Sequence, residues 1–209
     1  MLVQEIRPKG AIKDFIWTKE NTLSKEFCDH VIKKFDADPN KKDGVVGAKI
    51  KRVDKKLKNT KDIFISSQSD WIEEDKVFYD SLNIGLQEYH DYLYDINKNC
   101  CRGFPNPIFG TSDTGYKVQK YEPNCFYDWH HDWSMTANPV ASRIYTFMWY
   151  LNTIQIKDNG YTEFVDGTKI QPKAGTLIIF PATWTYLHQG YPPKQTKYIM
   201  TGWLYEKQN

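Results

Sequence analysis

The chain has 209 residues, 40% of them apolar, with 28 Lys+Arg against 26 Asp+Glu for a formal net charge of +2. That length supports one sizeable domain with its own core, and so small a net charge gives no argument for nucleic acid. No stretch approaches the length of a membrane span, and MLVQEIRPKGAIKDF at the start lacks the apolar core of a signal peptide, so a cytoplasmic protein is expected. Cys28, Cys100, Cys101 and Cys125 show no C-x-x-C spacing, which disfavours a thiolate zinc site and suits reduced, mostly buried thiols.

In chain order, residues 12–17 (IKDFIW) predict a short strand. Thr22 or Ser24 caps a helix running to about Phe35, with Phe27, Val31 and Ile32 as its apolar stripe. DADPNKKDGVVG is a turn-rich connection. The lysine-rich stretch from Lys49 to Lys61 predicts a solvated loop or edge hairpin, with a docking surface for an acidic partner as the lesser alternative. Trp71 to Asn97 is the clearest helix: Phe78, Leu82, Leu86, Tyr89, Leu93 and Ile96 recur at steps of four or three and make one buried face. NCCRGFPNPIFGTSDTG ends that pattern with Gly and Pro.

From Tyr116 onward short strand-like runs alternate with turns: YKVQKY, DWHHDW, RIYTFMWYL, YTEFV, GTLIIFP and KYIMTGWLY. That succession predicts a jelly roll or barrel. RIYTFMWYL is apolar on both faces, so it should lie between the interior and a covering layer. The two helices are the obvious cover. The expectation is a mainly β, α+β single domain. Residues 1–110 supply a strand and helical support, and 111–209 form the jelly-roll core. The helices should pack outside one sheet of an eight-stranded sandwich.

Chemistry concentrates in YDWHHDW. His130 and Asp132 are two apart, and in an extended strand such positions share a face while His131 points the other way. An isolated H-x-D triplet is more often a polar surface strand. Here His30 and His90 fall on the amphipathic helices and are expected to be solvated, which leaves His188 as the best distant partner. Two histidines and a carboxylate on one side of a metal leave the other side open, as in non-haem iron(II) oxygenases. A one-residue register slip would put His131 in place of His130 and lose the spacing to Asp132. Lys197 lies nine residues after His188, on the same predicted strand face as Ile199, Thr201 and Trp203. A lysine beside an isoleucine and a tryptophan should meet a buried anion rather than bulk water.

Four segments then carry a resemblance: YKVQKYEPNCFYDWHHD, RIYTFMWYLN, NGYTEF and HQGYPPKQTKYIMTGW. Together they resemble the 2-oxoglutarate- and iron(II)-dependent dioxygenases of the prolyl 4-hydroxylase-like group, over roughly Gly115 to Trp203. The resemblance implies a double-stranded β-helix (a cupin-like jelly roll) preceded by helices. It implies His130, Asp132 and His188 as catalytic iron ligands, and Lys197 as the ion-pair partner of the distal carboxylate of 2-oxoglutarate. Tyr121 matches a tyrosine near the cosubstrate, and Tyr150 one whose hydroxyl donates to the same carboxylate. Thr201 and Trp203 would line the inner end of that pocket.

Three positions depart from the pattern: Asn159 replaces the first glycine of a pair, Tyr161 stands at a commonly acidic position, and Lys197 replaces the commoner arginine. The implied cofactors are Fe(II), 2-oxoglutarate as cosubstrate and O2, with ascorbate as an accessory reductant. The implied reaction hydroxylates a C–H bond and forms succinate and CO2. The retained Asp132 speaks against halogenation. Trp129, Trp133, Trp184, Tyr186 and Tyr191 sit beside the ligands in sequence, either as a groove for a peptide or proline ring or as core. A protein or peptide substrate, hydroxylated at a residue such as proline, leads. A free amino acid or other small metabolite, and a catalytically silent binding module, are the alternatives. Trp203 occupies the place of a second arginine in the nucleic-acid demethylases, which disfavours nucleic acid.

Overall fold

Ser24 begins the first helix because its backbone is extended and its Oγ accepts the Phe27 N–H at 3.1 Å, relieving one of the first-turn donors. The computed structural model describes residues 12–47, 51–96, 106–137 and 140–206. In chain order these hold β1 (Trp17–Lys19), α1 (Lys25–Ala37), β2 (Lys42–Asp43), β3 (Val45–Val46), β4 (Arg52–Val53), β5 (Lys61–Phe64) and α2 (Ile72–Ile96). There follow β6 (Thr111–Asp113), β7 (Lys117–Tyr121), β8 (Tyr127–His130), β9 (Met135–Ala137) and β10 (Val140–Tyr150). The last five are β11 (Thr162–Phe164), β12 (Lys169–Ile170), β13 (Thr176–Pro181), β14 (His188–Gly190) and β15 (Lys197–Glu206).

The strands form a nine-stranded sheet, with path β1-β13-β10-β15-β7-β5-β2 and β6 and β9 attached, and a four-stranded sheet in the order β12-β11-β14-β8. A β3–β4 ribbon stands apart, and all these pairings are antiparallel. The expected jelly-roll build is present, with more strands than the eight foreseen. Short runs from the N-terminal half (β1, β2 and β5) extend the larger sheet.

β10 has both faces buried, as its sequence requires. Tyr145, Phe147 and Trp149 join a core cluster with Phe78, Leu82 and Tyr89 of α2 and Val31 and Phe35 of α1. Phe78 meets Trp149 edge-on at 5.6 Å, and Tyr89 meets Tyr145 at 5.4 Å. Fully burying one such side chain is worth roughly 1.5–3 kcal/mol. Gly85 lets α2 come close: a Cβ there would collide with Leu177 of β13. Met148 and Tyr150 face the other way, into a second cluster with Tyr121, Phe164, Ile178, Phe180 and Ile199.

Two local expectations need correction. Residues 12–17 are not one strand: Ile12–Phe15 make a 3-10 turn, and pairing starts only at Trp17, opposite Ile179. The hydroxyls of Tyr92 and Tyr89 take the Asp14 and Phe15 carbonyls, at 2.8 and 3.0 Å, where a strand would need a neighbour. In the lysine-rich stretch Arg52 and Val53 are exposed as expected for an edge hairpin, but Lys58 is 2% exposed. Its Nζ pairs with Asp62 at 2.9 Å and lies 5.1 Å from the centre of the Tyr127 ring. Cys28 is buried and Cys125 half-buried, both as free thiols. Cys100 and Cys101 lie outside the described residues.

Candidate metal centre and cosubstrate pocket

β8 and β14 are hydrogen-bonded neighbours, and their register sets His130 opposite His188. The two imidazoles are 4.2 Å apart between centroids. β8 stops at His130, so Asp132 sits on the irregular segment just beyond it. The two-residue offset still returns its carboxylate to the same side. Asp132 Oδ1 lies 3.9 Å from His130 Nε2, and Oδ2 lies 3.6 Å from His188 Nε2. All three ligand atoms fall within 4.8 Å of one another, the one such histidine–carboxylate group among the described residues. His131 is exposed and takes no part in it.

The tautomers follow from the partners. His130 Nδ1 is 2.7 Å from the Asp128 carbonyl, and His188 Nδ1 is 2.9 Å from the Tyr186 carbonyl. A carbonyl can only accept, so each Nδ1 carries the proton and each Nε2 keeps its lone pair. Burial, with His188 beside it, pushes His130 far below the usual imidazole range and keeps it neutral. Burial alone would raise Asp132. The adjacent histidines, the Thr146 hydroxyl donating at 2.8 Å and Arg143 outweigh that and hold the carboxyl below its usual range. Two neutral imidazoles and one carboxylate, each oriented by a second hydrogen bond, are a donor set that fits a divalent cation such as iron(II).

A cavity of about 1050 Å³ opens over this group, lined also by Lys197, Tyr121, Thr201 and Trp203. Lys197 is 1% exposed, opposite Tyr121 in the β15–β7 ladder. Its Nζ donates to the Gly160 carbonyl at 2.7 Å and sits 5.3 and 5.4 Å from the Tyr121 and Tyr150 rings. Among the described residues no carboxylate forms an ion pair with it, and burial pushes its pKa down to about 7. A buried ammonium with a carbonyl and two aromatic faces, but no counter-ion, fits the carboxylate of a dicarboxylic cosubstrate.

Thr201 spends its hydroxyl on the Phe147 carbonyl at 3.2 Å. Tyr150 is fully buried beside Lys197. Its hydroxyl lies 2.7 Å from Thr162 Oγ1 and 3.1 Å from the Ile170 carbonyl, so it braces Thr162, which lines the cavity. The departures at the mouth are accommodated. Asn159 takes φ 57°, a positive angle that asparagine tolerates better than most residues, and Tyr161 stacks on Tyr191 at 4.5 Å. Trp129 and Trp133 are exposed on the rim, Trp184 is exposed outside it, and Tyr186 is buried in the core.

Sequence reasoning passed over Thr146, Arg143, Lys58, Asp62 and Lys117, all of which line the cavity. Thr146 had a signal, as the one aliphatic hydroxyl in a run of aromatic and apolar residues. Arg143 had none. On strict alternation it would share the helix-facing side with Tyr145 and Phe147. A β-bulge between Arg143 and Tyr145 turns it to the cavity side instead.

Residues 116–205 match the model of the 2OG-Fe(II) oxygenase superfamily. No curated protein matches the sequence. Among solved structures, the chain is similar to a viral collagen prolyl hydroxylase from Paramecium bursaria Chlorella virus-1 in a 2OG complex. The TM-score is 0.58 at 20% identity, covering 94% of this chain and 99% of that one. A Pseudomonas putida prolyl-4-hydroxylase gives 0.59 at 17% identity, covering 93% of each. A Trichoplax adhaerens prolyl hydroxylase, in complex with a peptide fragment of the hypoxia inducible factor oxygen degradation domain, gives 0.70 at 16% identity, covering 92% and 84%. The superfamily match spans the segment that bears the metal-type cluster and the buried lysine, and the chain shares its fold with these prolyl hydroxylases.

Proposed function

We propose that the chain is one catalytic domain that hydroxylates a C–H bond of a peptidyl residue such as proline. One observation carries this reading: His130, Asp132 and His188 converge with both Nε2 lone pairs free, in the same cavity as a buried lysine that has no counter-ion. Iron(II) with 2-oxoglutarate and oxygen supplies oxidative decarboxylation to succinate and CO2, coupled to the hydroxylation. The protein's part is placement. The Asp128 and Tyr186 carbonyls hold the two imidazoles in the ligating tautomer, and Thr146 orients the carboxylate. Lys197, held by Gly160 and the Tyr121 and Tyr150 rings, would neutralise the distal carboxylate of the cosubstrate. Thr201 and Trp203 would close the same wall. A peptide substrate is supported by the exposed Trp129 and Trp133 at the rim and by the fold shared with a Trichoplax prolyl hydroxylase described with a peptide. No helix among the described residues is long and apolar enough to cross a membrane.

The test is anaerobic addition of iron(II) and 2-oxoglutarate, reading their charge-transfer absorption, then oxygen with a panel of proline peptides, reading succinate. The band and peptide-stimulated succinate are expected for the native chain and lost in His188→Ala. Native-like turnover in that variant would overturn the ligand assignment.

A further inference from the structure

The wall of the cavity built by β5, β7, β10 and β15 holds a second cationic group that neither the metal nor the cosubstrate uses. Lys58, Lys117 and Arg143 all face the cavity here. The carboxylates facing these three cations are Asp62 and, at the metal-type cluster, Asp132, with Asp43 and Asp128 elsewhere on the cavity lining, so on this wall three positive groups meet two negative ones. Asp62 is already engaged. Its Oδ2 takes Lys58 Nζ at 2.9 Å and Gln119 Nε2 at 3.0 Å, and its Oδ1 takes the Thr60 hydroxyl at 2.7 Å. Lys117 Nζ stands off at 3.8 Å.

Arg143 has no carboxylate partner among the described residues. It donates to the Tyr205 hydroxyl at 3.1 Å and to the Asp132 carbonyl at 3.3 Å, which leaves most of its five N–H groups unspent. Arg143 and Lys117 meet at Trp203: the guanidinium carbon lies 3.7 Å from the ring centre and the ammonium 5.0 Å. Trp203 Nε1 is itself a buried donor with no hydrogen-bond partner. Three kinds of donor therefore surround one region: Trp203 Nε1 has no acceptor, most Arg143 N–H groups are unspent, and Lys117 has only the already engaged Asp62 at 3.8 Å. An unmatched buried donor is costly unless something fills the place.

This region lies at the opposite end of the wall from Lys197, with Thr201 and Trp203 bordering both ends. In the β7–β15 ladder Lys197 is opposite Tyr121 and Thr201 is opposite Lys117. Four residues of strand, about 13 Å, separate the two positions. We propose that Lys117, Arg143 and the Trp203 N–H bind a carboxylate of the substrate, so that the molecule hydroxylated here carries an acid close to its target carbon. The carboxylate comes either from the substrate residue itself or from an acidic neighbour in a peptide. Burial and the nearby Lys58 and Arg143 charges push Lys117 down to about 7, as expected of a cation waiting for an anion. This inference rests on the dioxygenase reading for the word substrate, but not for the binding site.

The test uses two probe pairs titrated calorimetrically into the full chain: L-proline against L-prolinamide, and Ac-Asp-Pro-Gly-NH2 against Ac-Gly-Pro-Gly-NH2. Each is run metal-free, and again under argon with manganese(II) and 2-oxoglutarate. In one pair the acid should bind at least about tenfold tighter than its neutral twin, the scale of one charge-assisted hydrogen bond. The pair that shows it tells which source the carboxylate has. Lys117→Met and Arg143→Gln should each erase the preference, while Lys197→Met keeps it. Lys117→Met replaces a half-buried chain by an apolar one of similar length, and Arg143→Gln serves should that variant fold poorly. Equal binding within both pairs, or no acid binding at all, overturns the inference. So does displacement of the acid by 2-oxoglutarate, or loss of the preference in Lys197→Met, either of which puts the acid in the cosubstrate's place. If manganese and 2-oxoglutarate fail to bind while the metal-free preference holds, the dioxygenase reading falls and the carboxylate site stands.

Discussion

Thr146→Val isolates the contribution of one hydroxyl to the metal-type cluster. Thr146 is 2% exposed on β10, flanked across the sheet by Phe180 and Trp203, so valine fits the same volume. The loss is its hydrogen bond to Asp132 Oδ2 at 2.8 Å. A hydrogen bond to a charged group is worth about 1.5–3 kcal/mol. The metal-free fold should lose the lower part of that range, because the added methyl is buried. The carboxylate is also freed to turn toward Arg143 or either imidazole. Loss of such an outer partner typically weakens metal binding about 10–100-fold, or roughly 1.4–2.7 kcal/mol. Manganese(II) titration under argon measures the affinity, with urea unfolding of the metal-free protein beside it. Thr146→Ser keeps the hydroxyl and should bind within a few-fold of the native chain. If Thr146→Val binds manganese like the native chain while Thr146→Ser is weakened, packing and not the hydroxyl orients Asp132, and the reasoning fails.

Lys197 gives a pH dependence. Its folded pKa is depressed from 10.5 to about 7, so between those values the unfolded chain binds the extra proton, and stability is present above 10.5 and lost as pH falls toward 7. The metal-free protein should therefore gain stability from pH 7 to 9 relative to Lys197→Met, read as the difference in urea midpoints; parallel curves would show that Lys197 is not a buried cation. Gly202→Ala should cost about 1–3 kcal/mol by thermal unfolding, because a Cβ there collides with the Phe147 ring and comes within 2.5 Å of the Gly115 carbonyl; an unchanged midpoint would mean that β15 and β10 are further apart than described.

What could be read from the sequence was what depends on neighbours along the chain. The start of α1 at one of two candidate caps (Ser24 being the one used), the stripe from Phe78 to Leu93 and the two-sided burial of β10 each follow from local spacing. The convergence of His130, Asp132 and His188 was also legible, because the two-residue offset and the scarcity of histidines left few alternatives. Properties set by partners distant in sequence stayed hidden. Lys58 looked solvated because nothing near it announces Asp62 and Tyr127 as its partners. Arg143 was assigned no part because one bulge reverses the face that alternation predicts. The Tyr150 hydroxyl's contacts with Thr162 and Ile170 likewise depend on rotamer and register, which spacing does not reveal.

The tie from Lys58 through Tyr127 to His130 bears on how this protein can be dissected. Lys58 lies over the Tyr127 ring, which stacks on the His130 imidazole at 3.5 Å, and β5 covers the flank of β7 from Lys61 to Phe64. Family comparison recognises only residues 116–205. An expression fragment cut to that span would bare a row of unpaired amides along β7, a template for intermolecular pairing. It would also strip the support from beneath the first histidine, so the region that looks like an accessory helical preface is a structural wall of the cavity.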